Sequence, residues 1–171
     1  LGETQDTLAL KQALALLLTV NRIPQLYYGT EVLMNGTKQV TDGNVRKDFP
    51  GGFPGDTHSC FTTEGRTKAE NDMFRWTARL LHWRQGNEVI TKGKQTQFIP
   101  QNGVYVVARS YNGKNVMTVI NGTSKAATMK AERYAEIIGD AQEATNILTG
   151  HKINISKDVK LAPRGVMVLE F

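Results

Sequence analysis

The stretch Val104–Asn121, VYVVARSYNGKNVMTVIN, decides the fold of this 171-residue chain. On each side of its centre, apolar or β-branched residues occupy alternate positions: Val104, Val106 and Ala108, then Val116, Thr118 and Ile120. Such alternation is typical of a β-strand with one buried face. The centre is Asn112-Gly113, a pair that favours the type I′ turn of a two-residue hairpin. The stretch therefore predicts two antiparallel strands joined by a tight turn.

Further short runs of strand-forming residues follow the hairpin. They lie near Thr145–Leu148, His151–Ile155 and Val166–Phe171, and Gly, Asp and Pro residues separate them. Residues Glu132–Ile138 predict one helical turn. Short strands separated by turn residues are typical of an all-β domain, so the second half is predicted to be an antiparallel β-sandwich. Its boundary with the first half is predicted near Gly86–Gly93.

The first half predicts a helix, a strand, a long loop and a second helix. Asp6 or Thr7 can cap an apolar helix over Leu8–Val20, and Ile23–Gly29 is predicted to be a buried strand. The capping box Thr67-Lys68-Ala69-Glu70 begins an amphipathic helix that ends near Gly86. A helix followed at once by a buried strand is one half of a parallel βαβ arrangement.

Composition and charge exclude several classes of protein. Hydrophobic residues make up 40% of the chain and charged residues 22%, which is ordinary for a folded domain. The net charge of +5 lies entirely in residues 90–171, where single lysines are spread among the strands. We interpret them mainly as solvated faces rather than as a nucleic-acid surface. No apolar run is long enough to span a membrane, and the single cysteine, Cys60, excludes an internal disulfide.

The long loop of residues 30–63 is the main candidate for binding. Loops of this length in compact domains are uncommon and often carry function. This one combines charged groups with aromatic rings: Glu31, Asp42, Arg46, Lys47, Asp48, Phe49, Phe53 and Asp56. Carboxylates and guanidinium groups can bind sugar hydroxyls, while rings can stack on the apolar face of a sugar. The composition suits a polyhydroxylated ligand, with a merely solvated loop as the alternative.

Other familiar sites are not predicted. The three histidines, His58, His82 and His151, are far apart in sequence and lack metal-ligand spacing, so we predict no metal site and no cofactor in this chain. His58-Ser59-Cys60 contains nucleophilic residue types, but no base with an orienting partner is evident, and we predict no catalytic role. The run Gly51–Gly55 lacks the Lys-Ser/Thr of a phosphate-binding loop.

Four segments carry a resemblance to a known family. Ile23–Glu31, IPQLYYGTE, resembles the eighth barrel strand of the alpha-amylase family of glycoside hydrolases. The segment Val45–Asp56, VRKDFPGGFPGD, resembles the neopullulanase and cyclomaltodextrinase branch of bacterial enzymes. Leu80–Arg84, LLHWR, is similar to the last barrel helix, and Leu161–Phe171, LAPRGVMVLEF, to the last strand of the C-terminal sandwich.

The resemblance implies a combined fold class, α/β followed by all-β. Residues 1–87 would form the end of a catalytic (β/α)8 TIM barrel, with a helix, strand eight, the substrate loop and the last helix. Residues 88–171 would form the antiparallel β-sandwich. The chain, which starts at Leu1, is then expected to be the C-terminal fragment of a longer enzyme.

The resemblance also implies that the catalytic residues lie outside this chain. The family uses an Asp nucleophile, a Glu acid and a second Asp within an Asn-His-Asp motif, and this chain contains no Asn-His-Asp. A retaining glycosidase needs two carboxyl groups about 5 Å apart. We therefore expect no catalytic residue here and no hydrolysis by the chain alone. Calcium, where the family uses it, would be held elsewhere in the parent.

The resemblance implies two residues of this chain as substrate contacts. In related amylases and glucanotransferases, the loop after strand eight supplies an Asp and, four residues later, an Arg that bind a sugar remote from the cleaved bond. Asp42 and Arg46 have this spacing. The resemblance thus implies alpha-glucan oligosaccharides or starch as partners, with retaining cleavage of alpha-1,4 or alpha-1,6 bonds by the parent. It also implies export by a bacterium to the periplasm or the medium.

Two alternatives remain open at this point. The β half could be a non-catalytic starch-binding module, for which Tyr105, Tyr111 and Tyr134 are the available aromatic residues. It could also be a basic nucleic-acid-binding domain, although the strands lack the stacking aromatics of such domains. The oligomeric state is not evident from the sequence.

Overall fold

The computed structural model describes residues 6–171 and divides the chain into two compact units. The first, here called the loop unit, contains Leu1–Leu10 and Gln25–Ala78. The second, the β unit, contains Lys11–Pro24 and Arg79–Phe171. Helix α1, Thr7–Thr19, and helix α2, Lys68–Arg84, each continue from one unit into the other. Each unit is described by itself below.

Besides its parts of α1 and α2, the β unit contains two antiparallel sheets and two short helices. A six-stranded sheet has the order β1-β2-β3-β8-β5-β6, and a two-stranded sheet pairs β4 with β7. The strands are β1 Lys94–Gln97, β2 Val104–Tyr111, β3 Lys114–Asn121, β4 Ala127–Met129, β5 Glu143–Asn146, β6 Lys152–Asn154, β7 Val159–Leu161 and β8 Val166–Glu170. The helices are α3 Glu88–Lys92 and α4 Ala135–Ile138. The predicted antiparallel β domain is confirmed.

The predicted hairpin forms the centre of the six-stranded sheet. Strands β2 and β3 pair in register from Val104 with Asn121 to Tyr111 with Lys114. Asn112 and Gly113 both have positive φ, 49° and 75°, as a type I′ turn requires. The alternation correctly indicated strands, but it understated their burial, because most residues of both strands are buried on both faces.

One face of the six-stranded sheet covers the core that it shares with β4, β7 and α4. The buried side chains of this core include Val106, Met117, Met129, Leu161 and Leu169. Tyr134, just before α4, is also part of it and meets Phe98 edge to face at a centroid distance of 4.8 Å. The two sheets therefore bury a common apolar layer, as in a sandwich.

The opposite face of the sheet is covered within the β unit by the second half of α1. Thr118 donates from Oγ1 to Oγ1 of Thr19 at 2.7 Å, and Gln12 donates from Nε2 to the carbonyl of Asn121 at 2.7 Å. Leu14 and Leu18 are fully buried there. The apolar circumference of α1 thus has a partner in this chain that the sequence did not reveal.

Arg109 is the largest fully buried side chain of the described residues, with 1% exposure. It donates from Nε and Nη2 to the carbonyl of Gly93, at 3.2 and 2.6 Å, and from Nη1 to the carbonyl of Thr19 at 3.2 Å. Burial, together with the charge of Arg84, lowers the pKa of this guanidinium. Its donors tie the end of α1 to the end of α3 through the sheet.

The loop unit contains little regular structure. Apart from α1 and α2, its helical turns are the short 3-10 segments Thr30–Val32 and Gly43–Val45. The caps of the long helices are those predicted: Asp6 Oδ1 accepts from the amides of Leu8 and Ala9, and Thr67 and Glu70 exchange the two bonds of a capping box. None of the helices described in residues 6–171 is both long and apolar enough to cross a membrane.

The predicted buried strand over Ile23–Gly29 is wrong for this structure. Residues 23–27 have no β-ladder partner among the described residues, and Ile23 is 96% exposed. The physical reason is that a strand is stable only when its backbone pairs with a neighbouring strand. The barrel itself and the division into residues 1–87 and 88–171 stay predictions.

The turn at Gly113 provides a test of the central hairpin. We expect Gly113→Ala to lower the free energy of unfolding by about 1 kcal/mol, because an alanine in the left-handed region is strained. Nothing lies within 4 Å of a Cβ added at Gly113, so the cost is conformational. Urea unfolding of the full chain measures it.

Gly122→Ala is the matched control. Its φ lies outside the left-handed region, and its added Cβ would meet only the carbonyl of Gly103, at 3.7 Å. We expect little change in stability. Equal losses for the two variants would contradict the type I′ assignment.

Candidate functional site

The predicted binding residues Asp42 and Arg46 flank a short helical turn of the loop unit. The turn, Gly43–Val45, begins directly after Asp42, and the amide of Arg46 closes it by donating to the carbonyl of Gly43 at 2.9 Å. Both side chains are exposed, and neither forms an ion pair or hydrogen bond with another described residue. The carboxylate and the guanidinium are therefore available to a ligand. Their role in substrate binding stays a prediction.

Asparagine and threonine side chains hold this turn in place. Asn44 accepts on Oδ1 from the amide of Thr37 at 2.7 Å, and Thr41 accepts on Oγ1 from the amide of Asn44 at 3.1 Å. Gly36 passes so close to Asn44 that an added Cβ would lie 2.0 Å from its carbonyl oxygen. The segment between residues 36 and 46 is thus fixed by local polar contacts rather than by a core.

Aromatic rings are unusually exposed in the loop unit. Tyr27, Tyr28, Phe53 and Phe61 expose 53%, 45%, 60% and 62% of their surfaces. Tyr27 and Tyr28 stack at a centroid distance of 4.5 Å, and Phe49 lies against Phe61 at 4.7 Å. Tyr28 also donates from its hydroxyl to the carbonyl of Lys47 at 2.8 Å. Exposed rings held by such contacts can present flat apolar surfaces to a ligand.

The glycine-rich segment after Phe49 is closed by a carboxylate. Asp56 accepts on Oδ2 from the amide of Gly51 at 2.7 Å and from the amide of Phe53 at 3.1 Å. Gly51 has a φ of +93°, and a Cβ there would lie 2.3 Å from Oγ of Ser59. A Cβ on Gly65 would lie 2.1 Å from the carbonyl oxygen of Ser59. The backbone around Ser59 is therefore packed between two glycines.

The structure also places Glu70 beside His58 and Cys60, which the sequence did not indicate. His58 Nε2 lies 3.1 Å from Oε1 of Glu70 and 3.3 Å from Sγ of Cys60. Glu70 comes from the first turn of α2, whereas His58 and Cys60 lie in the segment before it. They stand two positions apart in a non-helical segment, where side chains can share one side. The capping box fixes Glu70 on the first turn of α2, but no sequence signal indicates that His58 and Cys60 lie beside it.

The protonation of this cluster follows from its surroundings. Burial, reinforced by the charge of Glu70, raises the pKa of the Cys60 thiol to about 11. Burial by itself would raise the pKa of Glu70, but hydrogen bonds from Thr67 and His58 outweigh it and lower that pKa. At neutral pH Cys60 is thus a thiol, unsuited to nucleophilic attack, and Glu70 is a carboxylate.

The aromatic residues proposed for a starch-binding β module are less suitable than the sequence implied. Tyr134 is 2% exposed and belongs to the core of the β unit, so it cannot stack on a sugar. Tyr105 and Tyr111 are only partly exposed. The ring of Tyr134 instead supplies volume to the core of the β unit.

The role of Asp56 can be tested directly. We expect Asp56→Ala to speed hydrogen exchange of the Gly51 and Phe53 amides about five-fold, because each amide loses a hydrogen bond worth roughly 1 kcal/mol. Exchange followed by NMR measures both sites. Asp48→Ala, which removes an exposed carboxylate from the same loop, should leave both amides unchanged. Similar acceleration in the two variants would show that charge, not the contact, matters.

Comparison with known proteins gives a family match within the β unit. The family described as Cyclo-malto-dextrinase C-terminal domain matches residues 95–170. A cyclomaltodextrin glucanotransferase of Thermoanaerobacterium thermosulfurigenes is 26% identical over 166 residues, which cover 92% of this chain and 20% of that protein. A cyclomaltodextrinase of Thermoanaerobacter pseudethanolicus is 28% identical over 116 residues, covering 68% of this chain and 17% of that protein.

Solved structures share the fold over nearly the whole chain. An Anoxybacillus alpha-amylase has a TM-score of 0.69 at 21% identity, over 96% of this chain and 32% of its own. The alpha-amylase of Geobacillus thermoleovorans, complexed with acarbose, has the same TM-score and identity over 95% of this chain and 33% of its own. The chain spans about a fifth of the first relatives and a third of these structures. Residues 95–170 are thus similar to the Cyclo-malto-dextrinase C-terminal domain, and the chain as a whole is similar to cyclomaltodextrin glucanotransferases and shares its fold with parts of solved alpha-amylases.

Proposed function

We propose that this chain supplies the substrate-binding loop and the C-terminal β domain of an alpha-glucan-degrading glycoside hydrolase. The parent would hydrolyse alpha-1,4 or alpha-1,6 glucosidic bonds with retention of configuration. The observation that carries the proposal is the loop unit itself, where exposed rings accompany a carboxylate and a guanidinium that have no ion pair or side-chain hydrogen bond with residues 6–171. Such a combination is what a polyhydroxylated ligand needs.

The aromatic rings would bind the apolar faces of glucose residues. A pyranose ring carries C–H groups on its faces and hydroxyls around its edge, so stacking leaves the hydroxyls accessible. The pairs Tyr27–Tyr28 and Phe49–Phe61 limit the motion of their members, which reduces the entropy lost on binding. Covering these rings also removes apolar surface from water.

Asp42 and Arg46 would bind the hydroxyl edge of one glucose residue. The carboxylate accepts from hydroxyls and the guanidinium donates to them, so together they can engage neighbouring oxygens of one sugar. Binding remote from the cleaved bond would position the chain of the substrate for reaction. The names of the relatives support this assignment, since they are glucanotransferases, cyclomaltodextrinases and amylases, and one neighbour is complexed with acarbose.

The remaining parts of the barrel would come from the parent protein. Ile23–Gly29 would become strand eight once neighbouring parallel strands supply its hydrogen bonds, which also accounts for the exposure of Ile23. The catalytic carboxylates would lie on earlier strands of that barrel and perform the double displacement. We further propose that the parent is exported from a bacterial cell.

Long substrates should distinguish remote binding from catalysis. In the parent enzyme, we expect Arg46→Ala to raise KM for long maltooligosaccharides about ten-fold, because hydrogen bonds to a charged group contribute roughly 1.5–3 kcal/mol. Steady-state kinetics with short and long substrates measures this, and kcat on short substrates should be unchanged.

Lys38→Ala is the matched control, since it removes one exposed positive charge from the same loop. We expect its KM to equal that of the unmodified enzyme. Equal effects of the two variants, or no effect of Arg46→Ala on long substrates, would contradict the role of Arg46.

The chain alone should be inactive. We expect no hydrolysis of maltooligosaccharides or starch by the folded 171-residue chain, because the carboxylates of the family's catalytic motifs are not among its residues. Product analysis by chromatography and anomeric NMR measures this. Turnover with retained anomeric configuration would overturn the assignment.

A further inference from the structure

We propose that His58, Cys60 and Glu70 form a binding site for a divalent ion of the zinc class. Their ligand atoms, an imidazole nitrogen, a sulfur and a carboxylate oxygen, all lie within 4.8 Å of one another. The site lies within the loop unit and uses none of the side chains proposed to contact sugar. Its existence does not depend on the proposed function.

Two of the three spacings between the ligand atoms are close to those of a tetrahedral zinc site. Zinc bonds of about 2.0–2.3 Å at tetrahedral angles place neighbouring ligand atoms roughly 3.3–3.6 Å apart. The distances from His58 Nε2 to Glu70 Oε1 and to Cys60 Sγ are 3.1 and 3.3 Å. On binding, these two distances would have to lengthen by only a few tenths of an ångström, while the ligand atoms of Cys60 and Glu70 lie within 4.8 Å of each other.

The ligands are held in place by contacts that leave the relevant atoms available. Glu70 uses Oε2 to accept from the amide of Thr67 at 2.7 Å, so Oε1 faces His58. The backbone of Cys60 is anchored on both sides, because its amide donates to Pro50 at 3.0 Å and its carbonyl accepts from Arg66 at 3.0 Å. In many metal sites, the residues that bind the metal are oriented by hydrogen bonds to other residues around them.

Exposure of the site provides a path for the ion and for a fourth ligand. The side chain of His58 is 38% exposed and that of Glu70 is 18% exposed, whereas Cys60 is buried. Water can therefore complete the coordination on the side of His58, as in zinc sites with three protein ligands.

The donor set and its charge select the kind of ion. A thiolate and an imidazole favour zinc over calcium and magnesium, which prefer oxygen ligands. On binding, the Cys60 S–H bond is replaced by a sulfur–metal bond, and one proton is released to solvent. A doubly charged ion with one thiolate and one carboxylate is neutral overall, so its burial is inexpensive.

Cobalt(II) binding to the full chain tests the proposal. Cys60 is the only cysteine, so a thiolate-to-cobalt charge-transfer band can come from no other residue. We expect one cobalt ion per chain, with that band and the visible bands of tetrahedral cobalt, and displacement by zinc. Absence of the charge-transfer band would overturn the proposal.

Variants assign the ligands. Cys60→Ser should abolish the charge-transfer band, and Glu70→Gln should weaken zinc binding more than about ten-fold. Glutamine at this position preserves the capping box, so this variant should stay folded, which circular dichroism checks. His82→Ala, which removes an exposed histidine elsewhere on α2, should bind zinc normally. Unchanged zinc affinity in Glu70→Gln, or equal loss in His82→Ala, would contradict the site.

Discussion

The pairing of β2 with β3 is the interaction on which the β unit depends. Both faces of these strands are buried, so the hairpin is stable only when two separate layers cover it. One layer comes from β4, β7 and α4, which follow it in the chain. The other comes from the second half of α1, some ninety residues earlier, through Thr19. The local sequence thus forms a hairpin whose two faces can be buried only by segments that lie elsewhere in the chain.

Arg109 illustrates how the second layer is fixed. Its charged group is fully buried, yet it is satisfied by two carbonyl oxygens at the ends of elements rather than by a carboxylate. Carbonyls at helix ends have no hydrogen-bond donor within the helix, and a buried guanidinium needs acceptors. The contact of Arg109 with these carbonyls satisfies both groups. This contact determines where α1 ends relative to the sheet within the β unit.

The sequence predicted those features that local chemistry controls. The Asn112-Gly113 turn, the Asp6 cap, the Thr67–Glu70 capping box and three of the later strands could be predicted because neighbouring residues decide them. The strand at Ile23–Gly29 could not be assessed locally, since its stability depends on pairing partners. The burial of Tyr134 depends in the same way on tertiary packing.

In the candidate site, too, features set by neighbouring residues differ from features set by tertiary contacts. Asp42 and Arg46 were selected through the resemblance to amylases and glucanotransferases, whose loop carries an Asp and an Arg at the same spacing, and their role stays a prediction. The cluster of His58, Cys60 and Glu70 requires a non-helical segment to meet the first turn of α2, and no periodicity in the sequence reports such a meeting. It became visible only through the distances.

The packing of Ser59 between Gly51 and Gly65 has a consequence for engineering and for divergence among relatives. Gly51 lies against the side chain and Cα of Ser59, and Gly65 lies against its carbonyl. Because glycine has no side chain, these segments can approach each other closely. A single substitution at either glycine would push apart the segments that carry the aromatic rings and His58. Transplanting this loop into another scaffold would therefore require residues 49–66 as one block, whereas piecewise exchange would lose its shape.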